Sequence, residues 1–278
     1  MHPASLKSSL APSAERVALL VEWVRRAAGP EPAAWFMQTL AELRSNAGSL
    51  ARAIGLASRR LGKNDLSLTD EDLARAAALR PGFDPTGLTV DQAARIAFLL
   101  ASEAADPAGF PRRLLDLHRT AELSESIAFL RGLALFAAGR ELLPLAAEGV
   151  RSAVRPIFEA VAHRNPYPRE MFGEASWNQM VLKALFIGSE LAPIQGLDER
   201  ANADLARVLL DYARERWAAG RPVSPELWRC VRPFARGDIL EDLERVLAMG
   251  GEEERRVALT VLGAGQAPGA SGPDDAGD

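Results

Sequence analysis

A chain of 278 residues, 48% of them hydrophobic, is long enough to bury a sizeable core in one large domain or two smaller ones. Its net charge of -4 and pI near 5.6 offer no basic face for a polyanion, which excludes nucleic acid as an expected partner. Cys230 is the sole cysteine and the histidines are His2, His118 and His163, so an intrachain disulfide and a zinc-type Cys/His cluster are excluded and a reducing, cytoplasmic setting is expected.

The first residues, Met-His-Pro-Ala-Ser-Leu-Lys, lack the apolar core of a leader segment and predict a disordered stretch over 1–11. From 12 to 28 the apolar positions Val17, Leu20, Val21 and Val24 recur at helical spacing until Gly29-Pro30 stops them. Helices over 32–43 and 48–61 follow after connections short enough to force antiparallel neighbours. Thr69 ahead of Asp70-Glu71-Asp72 predicts a helix over 70–79, and Thr89-Val-Asp-Gln92 has capping-box spacing for one over 90–104. Helical stretches then run from 107 to 119 and from 123 to 138, the second split by Arg131. That apolar run is too short for the roughly 30 Å of bilayer hydrocarbon, so no direct membrane insertion is expected and any membrane association would pass through a partner.

Residues 140–164 are helical by period but carry Pro144, which suits a first turn, and Pro156, which suits a kink or break. Asn165-Pro-Tyr-Pro168 then forms a stiff elbow, and Pro168 suits the first turn of a helix carrying Trp177, Asn178, Gln179 and Lys183. After Gly188 and Pro193 a long helix carries Leu205, Leu209, Tyr212 and Trp217, and Ser224-Pro225-Glu226 opens another. Helices over 238–248 and 252–262 precede a Gly/Ala/Pro/Asp-rich tail, 263–278, expected to be disordered. No segment alternates as a strand would. The expectation is one all-α domain over 12–262, with halves at about 12–138 and 139–262, built as an irregular α-solenoid of HEAT-like helix pairs or as a compact multi-helix bundle.

No nucleophile elbow and no phosphate-cradling glycine loop occurs, and no cofactor or metal is expected. Glu159 and His163 share a helical face, but two groups do not make a metal site. Amide and aromatic residues cluster instead around the elbow. Asn165, Tyr167, Trp177, Asn178 and Lys183, joined by Asp211 and Tyr212 from the next long helix, are the candidate ligand- or partner-binding residues. Each has an ordinary structural reading: Trp177 as core, Asn178 as a partner for backbone groups that proline leaves over, Lys183 as a solvated head on an apolar stem, and Asp211 in an ion pair with Arg214.

Asn165-Pro-Tyr-Pro168, Trp177-Asn-Gln-Met-Val-Leu-Lys183, Gly196-Leu-Asp-Glu-Arg200, Tyr212-Ala-Arg-Glu-Arg-Trp217 and Ser224-Pro-Glu-Leu-Trp228 together resemble the EboA family, named for the ebo operons of bacterial secondary metabolism. Leu61-Gly-Lys-Asn-Asp-Leu66, Leu79-Arg-Pro-Gly82 and Val90-Asp-Gln-Ala-Ala-Arg95 are similar to its N-terminal half, with Phe83 and Leu88 where tryptophans are expected. The resemblance implies an all-helical protein that assists transport of a small aromatic or isoprenoid-related metabolite precursor alongside proteins of the same operon. It carries over no catalytic residue. Two functions therefore stand for test: a non-catalytic carrier or adaptor using the residues above, and an enzyme on an isoprenoid or polyphenol with Lys183 and Asp211 as acid and base. A third reading makes all of them core and caps.

Overall fold

Thr69 and Thr89 each open a helix through reciprocal bonds. The Thr69 hydroxyl accepts from Asp72 N at 3.2 Å while the Asp72 carboxylate accepts from Thr69 N at 2.9 Å, and Thr89 N donates to Gln92 Oε1 at 3.3 Å. The computed structural model describes residues 10–45, 47–249, 251, 252, 255, 256, 258 and 259. Its helices are α1 Ser13–Ala28, α2 Pro30–Ser45, α3 Leu50–Leu61, α4 Asp70–Leu79, α5 Val90–Ala105, α6 Phe110–His118 and α7 Leu123–Gly132. They continue with α8 Leu143–Arg151, α9 Arg155–Ala162, α10 Tyr167–Met171, α11 Glu174–Phe186, α12 Ala203–Ala218, α13 Trp228–Val231 and α14 Asp238–Met249. No strand forms among the described residues, so the fold is all-α. The expected tail over 263–278 lies outside the described residues, as do most of the expected N-terminal stretch and much of the helix over 252–262.

Of the boundaries that differ from expectation, three have a clear local reason. Pro30 begins α2 rather than following a gap, because Gly29 turns the chain at φ 78° and Pro30 then serves as the first helical residue. The run over 123–138 stops being α-helical at Gly132, where an added Cβ would sit 2.5 Å from the Phe136 ring, and the chain folds tightly back over itself. Glu103 of α5 satisfies the N–H groups this turn exposes, accepting from Ala137 N at 2.7 Å and Ala138 N at 3.0 Å. After the elbow the helix does not run on from Pro168: α10 ends at Met171 and Phe172 is extended. Arg200 Nη1 donates to Pro168 O and Arg169 O, both at 3.1 Å, taking a carbonyl that a continuing helix would use at residue 173.

The centre is α5, buried along almost its whole length and touched by α1, α2, α3 and α7. A stack in which each helix pair meets only its neighbours would not bring α1 onto α5, so this half is a bundle around one buried rod. Beyond it the packing is more sequential, α9 on α7 and α8, α12 on α11 and α13. One apolar cluster from Val17 to Ala258 runs through both.

Candidate functional site

On α11, Ser176, Gln179, Met180 and Lys183 recur at helical spacing and share one face. That face looks across a cavity of about 380 Å³ toward α8, which supplies Leu143, Ala147, Val150 and Arg151, while Arg140, Met171, Phe172 and Gly173 complete the wall. Its size falls at the lower end of small-molecule sites. The floor is apolar, with Met171, Phe172 and Met180 buried, and Arg140, Arg151, Ser176 and Gln179 stand exposed at the rim. Lys183 Nζ donates to Ser152 O at 2.8 Å, the carbonyl that follows α8, and lies 5.8 Å from the centre of the Phe158 ring. Burial lowers its pKa from the ordinary lysine value. The wall thus carries three cations and no carboxylate.

Of the seven residues singled out from sequence, Lys183 alone lines this cavity. Asn165 is the residue that satisfies the elbow's backbone: its Oδ1 accepts from Tyr167 N at 3.0 Å and its Nδ2 donates to Leu130 O at 3.1 Å. Tyr167 is buried, its hydroxyl donating to Gly139 O at 2.7 Å. Trp177 is fully buried under the Arg200 guanidinium, 4.6 Å from the ring, with no acceptor for Nε1 among the described residues. Asn178 pairs amide to amide with Asn202, at 3.1 and 2.9 Å, and Asn202 caps α12 by accepting from Leu205 N at 2.8 Å. Tyr212 is buried, donating to Leu185 O at 3.2 Å and packing edge-on against Phe186. Asp211 is exposed and bonded to Arg214 at 2.8 Å. Trp177, Asn178 and Lys183 therefore serve three different neighbourhoods, and the hollow that Lys183 lines lies between α11 and α8, away from Asp211 and Tyr212.

Sequence reasoning missed Arg140, Arg151, Ser176 and Met171, and it named Gln179 only in passing. The spacing of Ser176, Gln179 and Lys183 was the available signal, while the partner helix lay beyond any local pattern.

Chemistry of the nucleophilic kind is not assembled at the other polar cluster. Ser189 Oγ donates to Glu159 Oε1 at 2.8 Å and sits 3.1 Å from His163 Nε2, which itself donates to Glu190 O at 2.9 Å. The imidazole nitrogen beside the hydroxyl thus carries the proton and is not placed to remove one. Burial pushes the Cys230 thiol up to about 12, and no group of three or more metal-ligating side chains gathers among the described residues. No helix among them is long and apolar enough to cross a membrane.

Fold and site define an all-helical protein with a ligand-sized hollow, apolar below and cationic above. Residues 16–232 match the family model described as metabolite traffic protein EboA, and the chain belongs to the EboA family. That description supports a role in metabolite traffic in general. No curated protein and no solved structure matches the chain.

Proposed function

We propose that the chain is a non-catalytic carrier, holding a small metabolite with an apolar body and one anionic group in the cavity between α8 and α11. The observation that carries this reading is the wall itself: Arg140, Arg151 and Lys183 face the hollow with no carboxylate among them, in a chain whose net charge is -4. An apolar ligand body against Met171, Phe172 and Met180 gains about 25 cal/mol per Å² removed from water, and a carboxylate or phosphate on the same molecule answers the rim. Aromatic and isoprenoid-related precursors bearing an acidic group fit that description. The enzyme reading has less behind it, since Asp211 pairs with Arg214 and does not line the cavity that Lys183 lines.

Calorimetric titration of the full chain with an aryl carboxylic acid and with its neutral amide is the test. The acid is expected to bind saturably and at least about tenfold tighter than the amide, a difference of about 1.4 kcal/mol. Lys183→Ala, with its helical circular dichroism intact, is expected to remove most of that preference. Equal binding of acid and amide by the unaltered chain would overturn the carrier reading.

A further inference from the structure

A second hollow, about 190 Å³, lies between α7, α9 and the turn leading into α5, and shares no lining residue with the first. Its wall includes Gly87, Gln92, Arg131, Glu159, His163 and Arg164.

Arg131 is the unusual member. It reaches from α7 to donate through Nη2 to Thr86 O at 2.8 Å and Asp84 O at 3.3 Å. No carboxylate among the described residues stands within ion-pair distance of it; that of Asp84 engages Arg164 Nε instead, at 3.2 Å. A guanidinium has five N–H donors, and these bonds occupy one nitrogen. Gly87, at φ 74°, brings the turn close over the other side, where a Cβ would lie 3.9 Å from Nη1.

The neighbours are arranged in the same sense. Gln92 spends its carbonyl on Thr89 N, so the amide NH2 is the end left to offer. Arg164 holds φ 52°, rare for a side-chain-bearing residue, pinned by its N–H to Pro193 O at 2.9 Å and by Asp84 N to its carbonyl at 3.3 Å. Glu159, the one carboxylate in the wall, is already answered by Arg155 Nε at 2.6 Å and by Ser189.

From this geometry we infer an oxyanion site: a phosphate-type group seated in the second hollow, bound by Arg131, Gln92 and Arg164. Arg131, half-buried and with no carboxylate among the described residues at ion-pair distance, is the cation left for an outside charge to match, while Arg164, exposed and held by Asp84 through Nε, has its remaining donors to lend. Arginine and phosphate make parallel charge-assisted bonds suited to the role. The volume equals roughly six water molecules at about 30 Å³ each, room for a tetrahedral anion and below the usual range for larger ligands. Burial, and after it the charge of Arg164, lowers the pKa of Arg131 to about 10, a cost that a bound anion would offset. The inference does not depend on the first cavity.

Calorimetry with inorganic phosphate at constant ionic strength tests it on the full chain. One saturable site is expected. Gln92→Glu keeps an acceptor for Thr89 N, and so the helix cap, while turning a carboxylate on the anion; it should weaken phosphate at least about tenfold. Arg131→Gln should do the same, and Lys183→Ala, in the other hollow, should leave phosphate binding unchanged. Phenyl phosphate, which the first hollow would also take, is titrated into Lys183→Ala: tighter binding there than that of inorganic phosphate would identify the occupant as the head group of a larger molecule, and equal binding as the free anion; both support the site. Absence of saturable phosphate binding, or a Gln92→Glu chain that binds like the unaltered one, would overturn it. Should Arg131→Gln fail to fold, Gln92→Glu decides alone.

Discussion

The interior around α5 and two cations in the walls of the hollows, Lys183 and Arg131, show positive charge treated in opposite ways. Around α5, Arg95 meets Asp91 at 2.5 Å, and its Nε and Nη2 are taken by Ile54 O and Ser58 Oγ; Arg80 meets Glu170 at 2.5 Å, and Arg16 lies 3.6 Å from Glu103. All six of these charged side chains are nearly inaccessible. In the hollows, the hydrogen bonds of Lys183 and Arg131 go to backbone carbonyls, with the Phe158 ring beside Lys183. Carbonyl dipoles hold a cation in place but leave its charge unanswered. On the reading proposed above, charges paired within the protein hold structure, and Lys183 and Arg131, beside empty volume with no carboxylate at ion-pair distance among the described residues, answer a ligand.

That contrast breaks most visibly at Arg95. Arg95→Ala leaves Asp91 buried with its charge uncompensated, and a loss of about 3–5 kcal/mol in urea unfolding is expected. Lys183→Ala should cost no more than about 1 kcal/mol in the same assay, since it gives up one bond from a half-buried group. Equal losses at the two positions would erase the distinction.

Acid sharpens the comparison further. The Asp72 carboxyl is held well below the usual carboxylate range by Arg26 first, and then by bonds from Thr69 and Trp23. A depressed folded-state pKa contributes stability that is fully present above the unfolded value, near pH 4, and is lost as pH falls through the folded one. Unfolding free energy should accordingly decline below about pH 4 in the unaltered chain. Asp72→Asn should begin about 1–3 kcal/mol lower at neutral pH and show a flatter acid limb. An unchanged acid limb would mean that the carboxyls paired elsewhere, not Asp72, set the acid response.

How far the site could be read from sequence follows from the same physics. Helix class and the starts at Thr69 and Thr89 rest on neighbours within four residues, and they were legible. So was the helix break at the elbow, where α9 ends at Ala162, although its own Asn165, not Asn178, answers its backbone. Several polar residues in and beside the stretches that resemble the family hold the chain together here. Arg200 clamps the end of α10, Glu226 accepts from Leu191 N and Ala192 N, and Arg229 grips Asp198 through two bonds at 2.6 and 2.5 Å. Polar residues clustered in sequence are here engaged in securing loops. The cavity wall depends on α8 lying opposite α11, and that juxtaposition is set by packing: Gly149 of α8 comes so near α9 that a Cβ would meet Val161 Cγ2 at 2.6 Å. No local pattern reports it.

Asp211 gives the smallest expected effect and a direct test of which helix faces matter. Its carboxylate is exposed and bonded to Arg214 three residues on, an arrangement worth a few tenths of a kcal/mol on a helix surface. Asp211→Ala should shift stability by no more than about 0.5 kcal/mol and leave aryl-carboxylate binding untouched, since α12 supplies nothing to the cavity. If its affinity for the acid instead fell as far as that of Lys183→Ala, the acidic side chain would have to reach the ligand. The wall would then hold a matched pair, and the rule that separates structural charge from ligand-facing charge would fail at the position where it was first applied.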